Sequence, residues 1–576
     1  MRSFISTARI AFFYFCTLVS CASPAQHAQH YVYNQEAIDS LLLNEFQPST
    51  LTLEEQRKEL QWFREAAKTF QNITVRVVSE RIDTHHYESN ILAKAFYEIT
   101  GIHVIHEITG EDDVIKKLQA QIFTGENLYD AYINDSDLIG YHFRSSEIVR
   151  LDEFMKNGGK NVTLPTLDLD DFIGLKFTTG PDGHLYQLPD QQFANLYWYR
   201  ADWFARDDFK QQFLDIYGYA LGVPQNWSAY EDIAEFFTVH IKEIDGQPVW
   251  GHMDYGKRDP SLGWRISDAW LSLGGTGDKG LPNGLPVDEW GIRVEGCRPA
   301  GASVARGGAL DSPAAIYSVS KFVEWLDKYA PPEAKTLNFT EAGKWLSKGN
   351  IAQQIWWYSA FTAELTQESP ALLYEDGRPK WRMAPSPKGA YWEDGMKLGY
   401  QDAGSWTFLK NTPRNQMKAA WLYAQFVTSK TVSLKKTLVG LTPFRNSDIN
   451  SEEMTKRAPF LGGLVEFYRS EGKHHWTPTG TNVPDYTRLS HHWWKYTGLT
   501  VNGELSVHEA MSAMANAIDQ DLLVISKEHS NSCSPQLNPE IDPGIWLRKE
   551  GSPKAKRNEK PRGKTLLYKD ALDVWK

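Results

Sequence analysis

A strand–helix–strand unit can be read directly from residues 73–108, ITVRVVSERIDTHHYESNILAKAFYEITGIHVIHEI. Ile73–Val78 is a short, mostly apolar and β-branched run, which predicts a buried parallel strand. Tyr87–Thr100 repeats apolar residues at helical spacing, and Gly101 supplies the stop that commonly ends a helix. Ile102–Ile108 is the second predicted strand, so the chain begins an alternating α/β pattern.

The same alternation continues beyond this unit. Asp113–Thr124 is the next predicted helix, with Gly125 as its stop, and Tyr129–Ile133 is the third predicted strand. Alternation of this kind predicts an α/β fold with a parallel, doubly wound sheet. Because ligands bind beyond the carboxyl ends of such strands, we expect Glu80–Glu88 and Asn134–Asp137 at the rim of a site.

Two helix starts carry capping signals. Thr52 is followed three residues later by Glu55, and Ser228 is followed three residues later by Glu231. In each pair the hydroxyl is expected to cap the helix and the carboxylate to complete a capping box.

The first 25 residues have the layout of a bacterial export signal. Basic residues flank an apolar run, Ile10–Val19, that is too short to cross a bilayer as a mature helix. Two cleavage positions are open. Leu18–Cys21 resembles the lipobox of lipoproteins, which would leave Cys21 lipidated, whereas Ser23–Ala25 suits an ordinary signal peptidase and would release a soluble protein. Either cut predicts a periplasmic protein.

The amino-acid composition indicates which classes of ligand the protein can bind. The chain has 61 basic and 72 acidic residues, a net charge of −11, which argues against nucleic acid because nucleic acid selects a basic surface. Beyond the signal no apolar run approaches the roughly 20 residues of a membrane span. The 21 tryptophans favour a carbohydrate-like ligand, since aromatic faces stack on sugars and polyols, although most of them must pack in cores.

Signatures of catalysis and metal binding are weak. The sequence contains no GxSxG, HExxH or P-loop motif. Asp288 and Glu289, beside Trp290, could supply a carboxylate to a glycosidase, which needs two, but no second acid is paired with them in the sequence. We therefore expect no enzyme activity, no cofactor and no metal. Cys297 and Cys533 lie outside the signal, and either a disulfide or two free thiols fit the sequence.

Several short motifs follow one another along the chain, each occurring at one place. The set comprises Gly125 and Asp130 before Asn134–Asp137, Leu188–Pro189 before Leu196–Tyr199, Pro224 with Trp227, Gly349–Asn350 before Ile355–Trp357, Gly404–Trp406, Lys418–Trp421, and Pro443 with Arg445. Over roughly residues 70–520 this order resembles the extracellular solute-binding proteins, family 1, of ABC importers. Ser79–Glu88 and Ala131–Gly140 resemble in particular a long subgroup linked to glycerol or related polyol uptake. Arg200 departs from the family, which usually has an acid or amide there.

The resemblance implies a two-lobe periplasmic-binding-protein fold of type II, with the ligand in a cleft between lobes joined by crossing strands. It divides the chain into a signal (1–25), a helical extension (26–70), lobe 1 (71–190, with 404–445 returning to it), lobe 2 (191–403, with 446–526) and a C-terminal extension (527–576). The C-terminal extension is rich in proline and basic residues and is expected to be poorly packed or to wrap around the protein.

The resemblance implies ligand-binding residues at matching positions of this chain. They lie in two rim loops, at a strand end of lobe 2, in an aromatic wall and at the lobe crossing. The residues are Glu80, Glu88, Asp135, Asp137, Tyr199, Trp356, Trp357, Gly404, Ser405, Trp406 and Arg445. His85, Tyr400 and Asp402 join them by their position along the chain. Because neighbours on a strand face opposite sides, we expect one of Trp356 and Trp357 to stack on the ligand and the other to pack in the core.

The implied function is capture of a small neutral polyol or sugar, with glycerol favoured, and its delivery to a membrane permease. The protein is expected to be a monomer whose membrane contacts are permease docking or a lipid anchor at Cys21. The alternative function is that of a secreted carbohydrate-active enzyme such as a glycosidase. Since acids outnumber Arg445 among the candidate residues, an uncharged polyol should bind more tightly than glycerol 3-phosphate.

Overall fold

Two five-stranded sheets organise the molecule. The computed structural model describes residues 31–266, 290–357, 369–387, 400–474, 477–478, 480, 483–528, 533–549 and 560–575. The first sheet contains β1 (Thr74–Glu80), β2 (His103–Thr109), β3 (Ala131–Asn134), β4 (Leu188–Pro189) and β9 (Ser405–Thr407). The second contains β5 (Phe193–Arg200), β6 (Gln353–Trp357), β7 (Trp381–Ala384), β8 (Tyr400–Asp402) and β10 (Thr477–Pro478). Each sheet with the helices packed on it is one lobe, lobe 1 and lobe 2 respectively.

Helices surround both sheets. The first part of the chain and the return to lobe 1 contain Gln35–Asn44, Leu53–Ala67, Asp83–Tyr87, Ala93–Thr100, Glu111–Thr124, Ile139–His142, Leu151–Lys156, Arg414–Thr428, Ser433–Gly440 and Asn446–Ile449. The remaining α-helices of the described residues are Ala201–Ala205, Asp207–Tyr217, Trp227–Glu235, Ser261–Arg265, Pro313–Lys328, Phe339–Trp345, Glu452–Arg457, Leu464–Arg469, Tyr486–Val501, Val507–Glu528, Pro543–Leu547 and Tyr568–Ala571.

Lobe 1 has the strand order β2–β1–β3–β9–β4. β1 pairs in parallel with both neighbours, so that Val77 lies between His106 of β2 and Ala131 of β3. This is the parallel core predicted from the alternating pattern. β9 is antiparallel to both β3 and β4, because it enters the sheet from the other lobe. Lobe 2 has the order β6–β5–β8–β10, with β7 also paired to β5.

Two chain segments cross between the lobes side by side. One runs from β4 into β5 through residues 190–192, and the other from β8 into β9 through residues 403–404. The backbone N–H groups of Asp190 and Gln191 both donate to the carbonyl of Gly404, at 2.9 and 3.1 Å. A Cβ on Gly404 would lie 2.7 Å from the Gln191 side chain, so glycine permits this close approach. The predicted two-lobe α/β architecture with crossing strands is confirmed.

Local signals set the helix ends, with one correction. Gly101 and Gly125 end their helices with φ of 75° and 71°, as predicted. Ser228 is not the cap of its helix. The side chain of Asn226 accepts from the backbone N–H of Ala229 at 3.0 Å, and Glu231 instead pairs with Lys321 at 2.8 Å. The helix begins at Trp227, which places Ser228 inside its first turn, where it is buried.

The two extensions pack on opposite lobes. Phe63 of the N-terminal helices is buried in the lobe 1 core, 5.7 Å from the Phe426 ring. The C-terminal extension wraps around lobe 2, where Thr565–Leu566 pairs with Val223–Pro224 and Trp575 is 3% exposed. Of the two expected arrangements, the described residues of this extension show the wrapping one.

Cys297 and Cys533 form a disulfide between lobe 2 and the start of the C-terminal extension. The sequence had left pairing and free thiols open. The predicted export signal, including Cys21, lies outside the described residues, as do Asp288 and Glu289. In the part of the chain that the structure describes, no helix is both long and apolar enough to cross a membrane.

Candidate functional site

Five carboxyl groups meet where the strands of lobe 1 end and the crossing segments begin. We define this acid cluster as Glu80, Glu111, Asp135, Asp137 and Asp402. Glu80 ends β1, and Asp402 ends β8. Asp402 is fixed by its Oδ1 atom, which accepts from the backbone N–H groups of Ser136 at 2.9 Å and Ala403 at 2.6 Å and from the Ser136 hydroxyl. The same residue therefore joins the loop after β3 to the lobe crossing.

Burial and mutual repulsion raise the pKa values in the acid cluster. Burial, followed by the charge of Asp402, raises the pKa of Glu80 to about 7. Burial and the neighbouring carboxyls raise the pKa values of Glu111, Asp135 and Asp137 well above the ordinary range. The pKa of Asp402 is also raised by burial, against the opposing effect of the hydrogen bonds that it accepts. Because burial and the neighbouring carboxyls oppose the charged forms of these groups, a protonated member can donate a hydrogen bond while carboxylate oxygens accept them.

Glu111 is the member that the sequence did not indicate. It is the first residue of the helix Glu111–Thr124, and the pKa of Asp135 responds to it as well as to Glu80. The expectation that ligands bind beyond strand ends names the loops after β1 and β3, but not the loop after β2. An acid in the first turn of the helix after β2 was the signal that could have revealed it.

An apolar wall faces this region from three parts of the chain. Phe193 at the start of β5 packs with Ile82 of lobe 1 and Phe339 of lobe 2. Behind it, Phe339 stacks on Trp356 with ring centroids 5.3 Å apart and an interplanar angle of 17°. Tyr255 contacts the edge of the same tryptophan at 5.3 Å. Phe193 and Phe339 were not predicted from the sequence.

Trp356 is the core member of the predicted tryptophan pair. Its side chain is 1% exposed, and the Arg265 guanidinium lies over its ring at 5.5 Å. Trp357 pairs with Asn195 through its backbone, but its side chain lies outside what the structure describes. The side chain of Tyr400 lies outside it as well.

Lobe 2 closes over the acid cluster. Gly480 has φ of 68°, and a Cβ there would lie only 1.8 Å from the carbonyl oxygen of Asp137. Burial and the charges of Asp137 and Glu111 raise the pKa of Tyr486 well above its ordinary value, which places this lobe 2 tyrosine beside the cluster. The structure therefore has its lobes in contact around the carboxyls.

Glu88 and His85 do not lie at the rim as expected. Both are fully buried behind the lobe crossing, because the helix after β1 turns these side chains towards the lobe 1 interior. Lys436 lies between Glu88 and Asp190, with Nζ–carboxylate distances of 2.6 and 2.5 Å. His85, Glu88 and Asp190 are close enough to hold a metal ion, but the Lys436 ammonium already supplies the cation there.

Trp406 and Ser405 are also core residues rather than ligand contacts. The Trp406 indole N–H donates to Asp190 at 2.8 Å, and its ring is fully buried in lobe 1. The Ser405 hydroxyl donates to the Ala403 carbonyl at 2.9 Å. With Gly404, these residues build the crossing that the sequence predicted at this point, and the site lies on its other side.

Arg445 and Tyr199 are likewise placed away from the acid cluster. Arg445 is buried in lobe 1, where its guanidinium binds Asp171 at 3.0 Å and the Thr428 carbonyl at 2.8 Å. Tyr199 lies at the far end of β5 and packs on Phe204 at 4.7 Å. Since β5 leaves the crossing at Phe193, its start and not its end borders the site. Arg200, next along, is held by Asp202 at 2.6 Å.

Solved structures of other proteins share this two-lobe architecture. No protein-family model matches the sequence. A solute-binding protein of an ABC transporter from Agrobacterium radiobacter, solved with ribitol, has a TM-score of 0.60 at 18% identity and covers 78% of this chain and 99% of its own. A second, from Agrobacterium vitis with bound D-mannitol, has a TM-score of 0.57 at 17% identity, with coverage of 78% and 98%. The chain has the fold of ABC-importer solute-binding proteins.

A sequence relative agrees with this solute-binding fold. The erythritol/L-threitol-binding protein of Mycolicibacterium smegmatis is 22% identical over 386 residues, which are 62% of this chain and 67% of the relative. The resemblance to sugar- and polyol-binding proteins of ABC importers is thus confirmed. These relatives are binding proteins and not enzymes.

Proposed function

We propose that this solute-binding protein captures an uncharged polyol or sugar between its lobes and delivers it to an ABC permease. The observation that carries the proposal is the acid cluster at the lobe crossing, faced by an apolar wall. A polyol offers hydroxyls that donate and accept hydrogen bonds, and partly protonated carboxyls are matched to both. The wall of Ile82, Phe193 and Phe339 suits the carbon skeleton.

The choice among polyols is a matter for experiment. The relatives bind erythritol or L-threitol, ribitol and D-mannitol, which favours a chain of four to six carbons at least as much as the glycerol predicted from the sequence. The periplasmic location, permease docking, monomeric state and lobe boundaries belong to the same proposal. A glycosidase is not favoured, because the relatives are binding proteins.

Isothermal titration tests the proposal with glycerol, erythritol, L-threitol, ribitol, D-mannitol, maltose and glycerol 3-phosphate. At least one uncharged polyol should bind, and glycerol 3-phosphate should bind at least about tenfold more weakly because those carboxyls of the cluster that are ionised repel it. Glu111→Gln and Asp135→Asn should each weaken polyol binding by about tenfold, equivalent to about 1.4 kcal/mol. Asp170→Asn, at an exposed lobe 1 carboxylate, is the matched control and should bind as wild type.

Two results would contradict this proposal. Tighter binding of glycerol 3-phosphate than of every uncharged polyol would overturn the assignment of ligand charge. Turnover of a glycoside by the purified protein would favour the enzyme alternative.

A further inference from the structure

Arg144 of lobe 1 reaches across to lobe 2 at a point separate from the acid cluster. It follows the short helix Ile139–His142, which continues from β3. Its Nε atom donates to the carbonyl of Cys533 at 2.9 Å, and its Nη2 atom donates to the carbonyl of Cys297 at 2.8 Å. One guanidinium therefore binds both half-cystines of the disulfide.

The donor is held in place by its own lobe. The Nη1 atom of Arg144 donates to the Gly140 carbonyl at 2.7 Å, and the guanidinium lies 4.2 Å from the centre of the Phe143 ring. A planar guanidinium with a fixed fork of donors is suited to two carbonyls at once, whereas an ammonium is a single point charge. The geometry thus requires arginine at this position.

The two acceptors are held in place by lobe 2. Cys297 lies in the turn between Arg293–Glu295 and Arg298–Gly301, and the disulfide joins it to Cys533, which follows the helix Val507–Glu528. Backbone hydrogen bonds from Gln536 to Pro299 at 2.9 Å and from Asn538 to Ala300 at 2.8 Å bind the same two segments together. The carbonyls of Cys297 and Cys533 form one acceptor pair, although 236 residues separate them.

A groove beside this contact is lined from both lobes. Its cavity of about 340 Å³ is bordered by Tyr141 and Arg144 of lobe 1 and by Pro484 and Ile525 of lobe 2. If the lobes turn about the crossing segments, the groove widens and the acceptor pair moves away from Arg144. Such a movement would break the two bonds from Arg144 to Cys297 and Cys533, whereas the bond to Gly140 lies within lobe 1 and would remain.

We propose that Arg144 is a latch that stabilises the closed arrangement of the lobes, with the carbonyls of Cys297 and Cys533 as its acceptors. The disulfide holds the two carbonyl groups in the relative position in which both accept from Arg144. Because the contacts described for Arg144 include no member of the acid cluster, the latch strengthens binding by favouring closure and slows release of the solute. This role holds whichever solute occupies the cleft.

Small-angle scattering of the unliganded full chain tests the latch without any assumption about the solute. Arg144→Ala and Arg144→Lys should both give a larger radius of gyration than wild type. The control is Arg382→Ala, because Arg382 also donates to two backbone carbonyls, Pro379 at 2.6 Å and Trp381 at 2.8 Å, but all three residues lie in lobe 2. It should leave the radius unchanged.

Ligand binding gives a second, separate readout. With a polyol that binds wild type, Arg144→Ala should weaken affinity by about tenfold through faster dissociation, and Arg382→Ala should not. Equal radii for wild type and both Arg144 variants would overturn the latch. A wild-type radius for the Cys297→Ser/Cys533→Ser double variant would overturn the part given to the disulfide. Failure of every polyol to bind would count against the proposed function, while the scattering result would still decide the latch.

Discussion

At the residue scale, Glu80 gives the acid cluster a pH dependence. Burial raises its pKa to about 7 in the folded protein, whereas an unfolded glutamate titrates at about 4.3. Between these values the folded state holds a proton that the unfolded state has released, so the free energy of unfolding should fall as the pH rises from about 5 to about 8. Urea denaturation across this range measures the slope, which Glu80→Gln should make shallower. Glu126→Gln, at an exposed position of the same lobe, should keep the wild-type slope.

The same cluster shows which residues a sequence can indicate. Four carboxyls follow strands or precede the lobe crossing in the sequence, which predicts them at the site, and the structure brings them together: Glu80, Asp135, Asp137 and Asp402. The same position in the sequence predicts Glu88 at the site, but Glu88 lies in the lobe interior with Lys436. The choice between these outcomes depends on how the helix after β1 is turned about its axis, which residue order alone does not determine.

At the element scale, the stacked rings of Phe339 and Trp356 have different roles. Phe339 lies on the side of the ligand site, and Trp356 lies in the core. Trp356 is 1% exposed, so Trp356→Ala should lower the free energy of unfolding by about 3–5 kcal/mol. Phe339 is half-buried at the outer side of the stack, so Phe339→Ala should cost less stability and should weaken polyol binding by about tenfold. Urea denaturation and titration of both variants test this. Equal losses of stability with unchanged affinity would place both rings in the core.

The direction of β5 explains why a residue that was expected at the site lies away from it. The periodic pattern correctly predicted β1, β2 and β3 to within a few residues, since burial in the core of lobe 1 fixes these runs. The resemblance implies a site role for Tyr199 near the end of β5, yet this strand runs away from the crossing and its start, Phe193, borders the wall. Which end of a strand faces a cleft depends on pairing with segments far along the chain, here Asp402 opposite Phe193.

At the scale of the whole molecule, closure depends on the backbone of lobe 2 approaching that of lobe 1 at Gly480. A side chain there would require a left-handed conformation at φ of 68° and would place Cβ 1.8 Å from the Asp137 carbonyl oxygen. Gly480→Ala should therefore hold the lobes apart, enlarge the radius of gyration of the ligand-bound protein and weaken polyol binding by at least about tenfold. Gly503→Ala is the matched control, because Gly503 has φ of 72° and no atom lies within 4 Å of the position that its Cβ would take. It carries the same backbone strain without the contact between lobes. If both variants lose affinity equally, strain within lobe 2 and not obstruction of closure is the cause.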